Sequence, residues 1–195
     1  DPEKPDLENA RRAFAAACRH ARDTKARTVA AVDECSHIPM RLAQAMVEGA
    51  IIGAYRYLDY KTDPDRHEIE SLTIVTPTAE GAAEAETGAR RGEIVAQAVN
   101  ATRDLVNAPA NTVTPTFLAD CAEEIAATCG LELTVLNREE CAAMGMGAFL
   151  AVSQGSAQRP RFIVLRYRGG GSGAKTVAIV GKGIQAVPKM CFKFD

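Results

Sequence analysis

Residues 92–136 read GEIVAQAVNATRDLVNAPANTVTPTFLADCAEEIAATCGLELTVL, and this stretch decides the fold class. Its first part is typical of a helix, which must end before Pro109 because proline disfavours helical geometry in the residue that precedes it. Thr114 then supplies a capping hydroxyl with a proline directly after it, so a second helix is predicted from there to Gly130. The apolar run 131–136 predicts a strand, and helices alternating with strands indicate an α/β protein.

The same alternation is predicted upstream of this stretch. An alanine-rich run with helical spacing follows Asp6, whose carboxylate suits an N-cap. The predicted elements are a helix over 7–22, a strand over 28–32, a helix from Pro39 as its first residue to Tyr57, and a strand over 72–75. Residues 80–106 are rich in alanine and glutamate but carry three glycines, so a firm helix is predicted only from Gly92 onward.

Downstream of the deciding stretch, short elements continue the pattern. A short helix is predicted over 138–144, and the apolar runs 149–152, 162–167 and 177–180 are expected to be strands. The glycines between 169 and 173 indicate a connecting turn.

Composition and charge restrict the class of protein. The chain has 195 residues, of which 47% are hydrophobic and 25% charged, as is typical of soluble globular proteins. A net charge of -2 supplies no basic field for nucleic acid or an anionic membrane surface. No run approaches the roughly 18 apolar residues of a membrane span, and the first residues lack the apolar core of a signal peptide. We therefore expect a cytoplasmic protein, and because Asp1 replaces an initiator methionine we expect a processed or shortened polypeptide.

Three familiar kinds of site are not indicated. The six cysteines include no C-x-x-C pair, so neither a zinc ribbon nor a redox motif is predicted, and free thiols are expected. The three histidines lie far apart, which argues against a histidine-based zinc site. A phosphate loop needs glycine directly before its lysine, whereas Ala174 precedes Lys175, so the glycine run is interpreted as a hairpin connection.

The segment VGKGI at 180–184 is the best candidate for a site. It places Lys182 between two glycines at the carboxyl end of a predicted strand, the edge at which α/β sheets bind ligands. A deprotonated lysine amine can bind a metal ion, and flanking glycines let the backbone approach it closely. A solvated turn is the alternative interpretation, and the segment by itself does not decide between the two.

Its context resembles a known family. ATRDLVNAPAN at 101–111 is similar to the stretch that opens the catalytic domain of leucyl aminopeptidases. The runs GMGAFLAV at 145–152, QGS at 154–156 and VGKGI at 180–184 are similar to the same family in order and spacing, and VEGA at 47–50 resembles its N-terminal domain. The resemblance covers about residues 40–184.

The resemblance implies an architecture of two α/β domains. Residues 1–90 would be the C-terminal part of an N-terminal α/β domain, residues 91–107 a linker helix, and residues 108–195 the start of a mixed-sheet α/β catalytic domain. It also implies a metallo-exopeptidase that releases N-terminal residues of leucine type from peptides, using water activated by two divalent cations, zinc or manganese. Lys182 matches the family's metal-binding lysine. The complete protein would be a homohexamer in the cytoplasm, without nucleic-acid or membrane partners.

The sequence departs from the family after Ile184. The family continues with a Thr-Phe-Asp segment whose aspartate binds metal, whereas here Gln185 and Ala186 follow. The last six residues, MCFKFD, faintly resemble a later family segment, so Asp195 is the second candidate metal ligand. Two cations need several carboxylates to balance their charge. We therefore expect the complete protein to be an aminopeptidase and these 195 residues alone to bind no metal pair and to be inactive.

A non-catalytic role is the competing hypothesis. The chain could be a binding or assembly module of the same family, one that uses its N-terminal domain on DNA as some relatives do. The acidic balance of charge argues against DNA.

Overall fold

The computed structural model describes residues 6–32, 38–62, 67–170, 175–181 and 183. They fall into two compact units, Asp1–Asn107 and Ala108–Asp195. Both combine helices with a small sheet, so the predicted α/β class is confirmed. The predicted division into an N-terminal domain, a linker helix and a catalytic domain stays a prediction.

The first unit packs three helices and a two-stranded parallel sheet around one core. Its elements are α1 (Leu7–Asp23), β1 (Thr28–Val32), α2 (Met40–Ala54), β2 (Ser71–Val75) and α3 (Ala79–Asn107). The register of the sheet runs from Thr28 opposite Ser71 to Val32 opposite Val75. Parallel neighbours need a crossover connection, and α2 lies within it. The core consists of Ile38, Ala43, Met46 and Ala85, with Phe14, Ala31, Leu42 and Ile74 packed against it.

The boundaries of α1 follow from its capping residues. The Asp6 carboxylate accepts hydrogen bonds from the backbone amides of Glu8 and Asn9 at 3.1 and 3.0 Å, as the sequence predicted. At the other end Lys25 adopts φ 58°, and the amide of Ala26 donates to the carbonyl of Ala21. The bond to Ala21 satisfies a carbonyl that the end of the helix would otherwise leave unpaired.

Glycines let α2 lie very close to both neighbouring helices. A Cβ on Gly49 would lie 2.7 Å from the Cα of Arg11 in α1. A Cβ on Gly88 would lie 2.9 Å from the carbonyl carbon of Met40, at the start of α2. Real Cβ atoms do not approach other atoms so closely, so both interfaces require residues without a side chain.

The second unit is built on a two-stranded antiparallel sheet. Its elements are α4 (Pro115–Cys129), β3 (Glu132–Leu136), α5 (Arg138–Ala143), α6 (Gly147–Ser153) and β4 (Phe162–Arg166). The register runs from Glu132 opposite Arg166 to Leu136 opposite Phe162. Glu132 also pairs with Arg168, and hydrogen bonding to that guanidinium lowers the pKa of the Glu132 carboxyl.

The boundaries of α4 confirm the signals in the deciding stretch. The Thr114 hydroxyl accepts from the amide of Phe117 at 3.2 Å, and Gly130 ends the helix in the left-handed conformation with φ 64°. Ala119, Ala122 and Ala126 are the buried residues of this helix. Their spacing of three and four residues puts them on one face.

Five sequence predictions about the helices and strands were wrong. The helix expected from Gly92 begins at Ala79, because Gly81, Gly88 and Gly92 are buried and two of them lie where α2 approaches. Pro39 is the N-cap of α2 rather than its first residue, and α2 ends at Ala54 instead of Tyr57.

The other two errors concern short apolar runs. The run 149–152 belongs to helix α6, where the ring of Phe149 meets that of Phe162 edge to face at 5.5 Å. The run 177–180 forms no strand, and Val177, Ile179 and Val180 are 83 to 95% exposed. A strand requires a hydrogen-bonded neighbour, and within the described ranges these residues have none.

Candidate functional site

Side chains from α1 and α3 cap the C-terminus of α2. The last carbonyls of a helix lack partners in the helix itself, and α2 has no basic residue in its last turn. The carbonyl of Ile51 accepts from Asn100 Nδ2 at 3.3 Å, that of Ile52 from Arg103 Nη1 at 2.9 Å, and that of Ala54 from Arg22 Nη1 at 3.2 Å. Two guanidinium groups therefore lie at the negative end of the helix dipole.

Tyr55, the first residue after α2, is held from α3. Its hydroxyl donates to Asp104 Oδ1 at 2.7 Å and accepts from Asn107 Nδ2 at 3.1 Å. The guanidinium of Arg103 lies over its ring, 3.8 Å from the centroid. Desolvation and the hydrogen bond to Asp104 raise the pKa of Tyr55, so the hydroxyl stays protonated and can keep donating.

These contacts account for three polar residues of the family-like segment 101–111, Arg103, Asp104 and Asn107. We call Tyr55, Asn100, Arg103, Asp104 and Asn107 the corner cluster, because it joins the ends of α2 and α3. Each of its members already has a partner within the cluster or on an α2 carbonyl. The chemistry of the cluster is therefore that of anchoring two helices.

A buried carboxylate explains the other family-like segment of the first unit, VEGA at 47–50. Glu48 is 5% exposed, and its carboxylate accepts from Arg11 Nε at 2.6 Å and from Gln44 Nε2 at 2.7 Å. The neighbouring Gly49 is one of the glycines at which the backbone of α1 approaches α2. The segment joins α1 to α2 by a part-buried ion pair and a glycine contact.

The second unit has an open cleft of about 350 Å³ between α4, the end of β3 and α5. It is lined by Thr116, Ala119, Asp120, Glu123, Val135, Asn137, Glu140 and Arg161. Its polar side chains are partly used for local structure, because Glu140 Oε2 accepts from the backbone amide of Asn137 at 2.7 Å in a capping box that starts α5. Arg161 and three carboxylates make the cleft polar and of mixed charge.

The two predicted metal ligands, Lys182 and Asp195, lie outside the described residues. The glycines on either side of Lys182 are described, and the backbone around them is open. A Cβ on Gly181 would meet no described atom within 4 Å, and one on Gly183 would meet only Leu118 Cδ1, at 3.8 Å.

Within the described ranges, no group of three His, Cys, Asp or Glu side chains is placed to hold a metal ion. These residues by themselves therefore do not fit a pair of divalent cations. No helix in the described part of the chain is both long and apolar enough to cross a membrane.

Sequence reasoning found the segment 101–111 but missed what its residues do. Tyr55 was placed inside a helix, and nothing in its local sequence indicates a partner 49 residues away. Glu48 was noticed only as part of a family-like run. Glu48 lies on the same side of the predicted helix as Arg41 and Gln44, which is its polar side, so the sequence pattern gives no sign that its carboxylate is buried.

Comparison with known families adds a second line of evidence. The cytosol aminopeptidase family matches twice, with its N-terminal domain over residues 1–64 and its catalytic domain over residues 100–185. A probable cytosol aminopeptidase of Roseiflexus castenholzii is 40% identical over an alignment of 185 residues, which covers 92% of this chain and 38% of that protein. One of Synechococcus elongatus is 41% identical over 182 residues, 93% of this chain and 37% of its own length. The chain thus spans little more than a third of these relatives.

Two solved structures are also similar to the chain. The bottromycin maturation enzyme BotP in complex with manganese superposes with a TM-score of 0.70 and 32% identity, covering 84% of this chain and 34% of that one. A mutant of tomato leucine aminopeptidase superposes with a TM-score of 0.72 and 28% identity, covering 82% and 33%.

Proposed function

The chain belongs to the cytosol aminopeptidase family, as its sequence motifs predicted, and from this premise we propose that the complete protein is a metalloaminopeptidase. It would release N-terminal amino acids, of leucine type, from peptides. Two matched family domains in their family order support this proposal, as does the likeness to a leucine aminopeptidase. The identity of about 40% to proteins named cytosol aminopeptidases also favours a cytoplasmic location.

Two divalent cations, manganese or zinc, would supply the activated water. The manganese in the BotP structure supports the use of divalent metal. From this chain we propose Lys182 as one ligand, with Asp195 as the second candidate. One lysine and one aspartate cannot balance the charge of two cations, so we further propose that residues 1–195 alone are inactive.

The experiment that tests the activity uses the complete protein. After removal of metal by a chelator, manganese or zinc is added back and the hydrolysis of leucine p-nitroanilide is measured. We expect metal-dependent turnover that Lys182→Ala abolishes and that Lys175→Ala, a lysine seven residues away, leaves unchanged. An anilide of N-acetyl-leucine should resist, because an exopeptidase needs the free amino group. Equal cleavage of the blocked substrate would contradict the proposal.

A parallel assay tests the inactivity of the 195 residues. Leucine p-nitroanilide is incubated with this chain in the presence of manganese. No turnover above that of the buffer is expected, and turnover that Lys182→Ala removes would contradict the proposal.

The same preparations test the assembly and the alternative role. We propose that the complete protein forms a homohexamer, which light scattering coupled to size exclusion measures directly.

DNA binding is the activity expected of the competing non-catalytic module. A gel-shift series at rising salt examines it, since affinity that depends on phosphate contacts falls steeply with salt. Salt-sensitive binding without hydrolysis would favour that alternative.

A further inference from the structure

A six-residue link, residues 108–113, joins the last residue of α3 to the N-cap of α4. The boundary between the two units falls at its first residue. Upstream of the link, the chain is held to the end of the helix. Asn107, the last residue of α3, donates its side-chain amide to the Tyr55 hydroxyl at 3.1 Å, and that hydroxyl donates to Asp104 one turn earlier.

Downstream, the chain is fixed again almost at once. The carbonyl of Pro109 accepts two backbone hydrogen bonds, from Thr112 at 2.9 Å and from Val113 at 3.0 Å. Val113 is only 2% exposed, so this turn is anchored by a buried side chain. Thr114 follows as the cap of α4. The link is therefore structured from Pro109 onward.

Only Ala108 remains between these two anchored segments. Its own rotation is limited, because a residue before proline is confined largely to extended conformations. The ring also fixes φ of Pro109 near about −65°. We propose that Ala108 is the single pivot of the chain between the two units, a stiff hinge bounded by the Tyr55 hydroxyl on one side and Pro109 on the other.

This pivot has two separable boundaries. Removing the Tyr55 hydroxyl releases the last turn of α3, residues 104–107, and so moves the start of the hinge into the helix. Removing the proline ring releases the side that begins at residue 109. The inference rests on contacts in the described residues and does not depend on the proposed function.

Hydrogen–deuterium exchange of the full chain, followed by mass spectrometry, tests both boundaries. In the wild type, we expect slow exchange of the amides over 104–107. Tyr55→Phe keeps the ring under Arg103 and should speed exchange there by about tenfold, the factor that one hydrogen bond of ordinary strength supplies. Exchange over 110–114 should not change. Pro109→Ala should speed exchange over 110–114 and leave exchange over 104–107 unchanged. Tyr57→Phe is the matched control and should change exchange in neither range.

Asn107→Ala removes the other hydrogen-bond partner of the Tyr55 hydroxyl and so tests the same boundary. It replaces Tyr55→Phe if circular dichroism shows that the latter does not fold. The proposal is overturned if the wild type exchanges over 104–107 as fast as an unstructured peptide. It is also overturned if the Tyr55 and Asn107 variants match the wild type, or if their faster exchange spreads over the whole first unit. Proteinase K provides an independent check, because cleavage of the wild type at several bonds within 104–113 would contradict a single pivot.

Discussion

The guanidinium carbon of Arg103 lies 3.8 Å from the centroid of the Tyr55 ring. The same group donates to the carbonyl of Ile52, so one side chain both stacks on an aromatic ring and caps a helix. Lysine cannot reproduce this geometry, because its charge is compact and its donors do not form a plane.

Arg103→Ala should therefore lower the free energy of unfolding by about 2 kcal/mol, the sum of a cation–π contact and a charged hydrogen bond. Urea denaturation followed by circular dichroism measures it. Arg90→Ala is the control, since Arg90 is on the same helix and its ion pair with Glu86 is exposed to solvent. Equal losses in both variants would mean that the corner cluster contributes no more than a surface pair.

Glu48→Ala should lower the free energy of unfolding by about 2 kcal/mol, because it removes the acceptor of a charged hydrogen bond from the part-buried guanidinium of Arg11. Glu8→Ala, which removes an exposed partner of the same arginine, should cost far less. The double variant Arg11→Met with Glu48→Leu should recover most of the loss if the pair can be replaced by apolar packing. Thermal unfolding of the four proteins distinguishes these outcomes, and a double variant no better than Glu48→Ala would contradict the argument.

Gly49→Ala should destabilise the first unit by about 2 kcal/mol, because α1 must move away to admit a methyl group. Gly155→Ala in the second unit is the matched control. A Cβ there meets no described atom within 4 Å, and stability should stay within about 0.5 kcal/mol of the wild type. A neutral Gly49→Ala would show that the α1–α2 interface can relax.

The buried thiol of Cys18 should make the free energy of unfolding depend on pH in the alkaline range. The thiol is 2% exposed, and burial raises its pKa above the ordinary value of 9.0. A raised pKa in the folded state means that the stabilising contribution is complete below pH 9 and is lost as the pH rises through the folded value. Denaturant midpoints should therefore fall more steeply above pH 9 in the wild type than in Cys18→Val. Parallel curves for the two proteins would show that Cys18 does not titrate in this range.

The sequence predicted best those elements whose signals are local. Asp6, Thr114 and Gly130 mark helix ends through their own side chains or backbone conformation, and the structure confirms all three. Strand Thr28–Val32 was also predicted correctly, since the run is short, apolar and followed by polar residues.

Contacts made far along the chain explain the errors. A helix pattern extends through residues 55–57, but α2 ends before Tyr55, where the chain turns to an extended conformation and the side chain meets α3. The run 149–152 is too short for its apolar pattern to distinguish a helix from a strand. In the structure it is helical, and the ring of Phe149 packs on that of Phe162. The candidate ligands Lys182 and Asp195 remain predictions, because they rest on resemblance and lie outside the described residues.

The caps of α2 also have a consequence for synthesis on the ribosome. Arg103 lies 51 residues after the carbonyl it caps, and Asn100 lies 49 residues after its own. At a translation rate of about 5 to 20 residues per second, the end of α2 leaves the exit tunnel several seconds before those side chains do. Until then, Arg22 from the preceding helix is the one capping side chain among the described residues that has already emerged. The nascent first unit should therefore mature late, when the last turn of α3 leaves the exit tunnel.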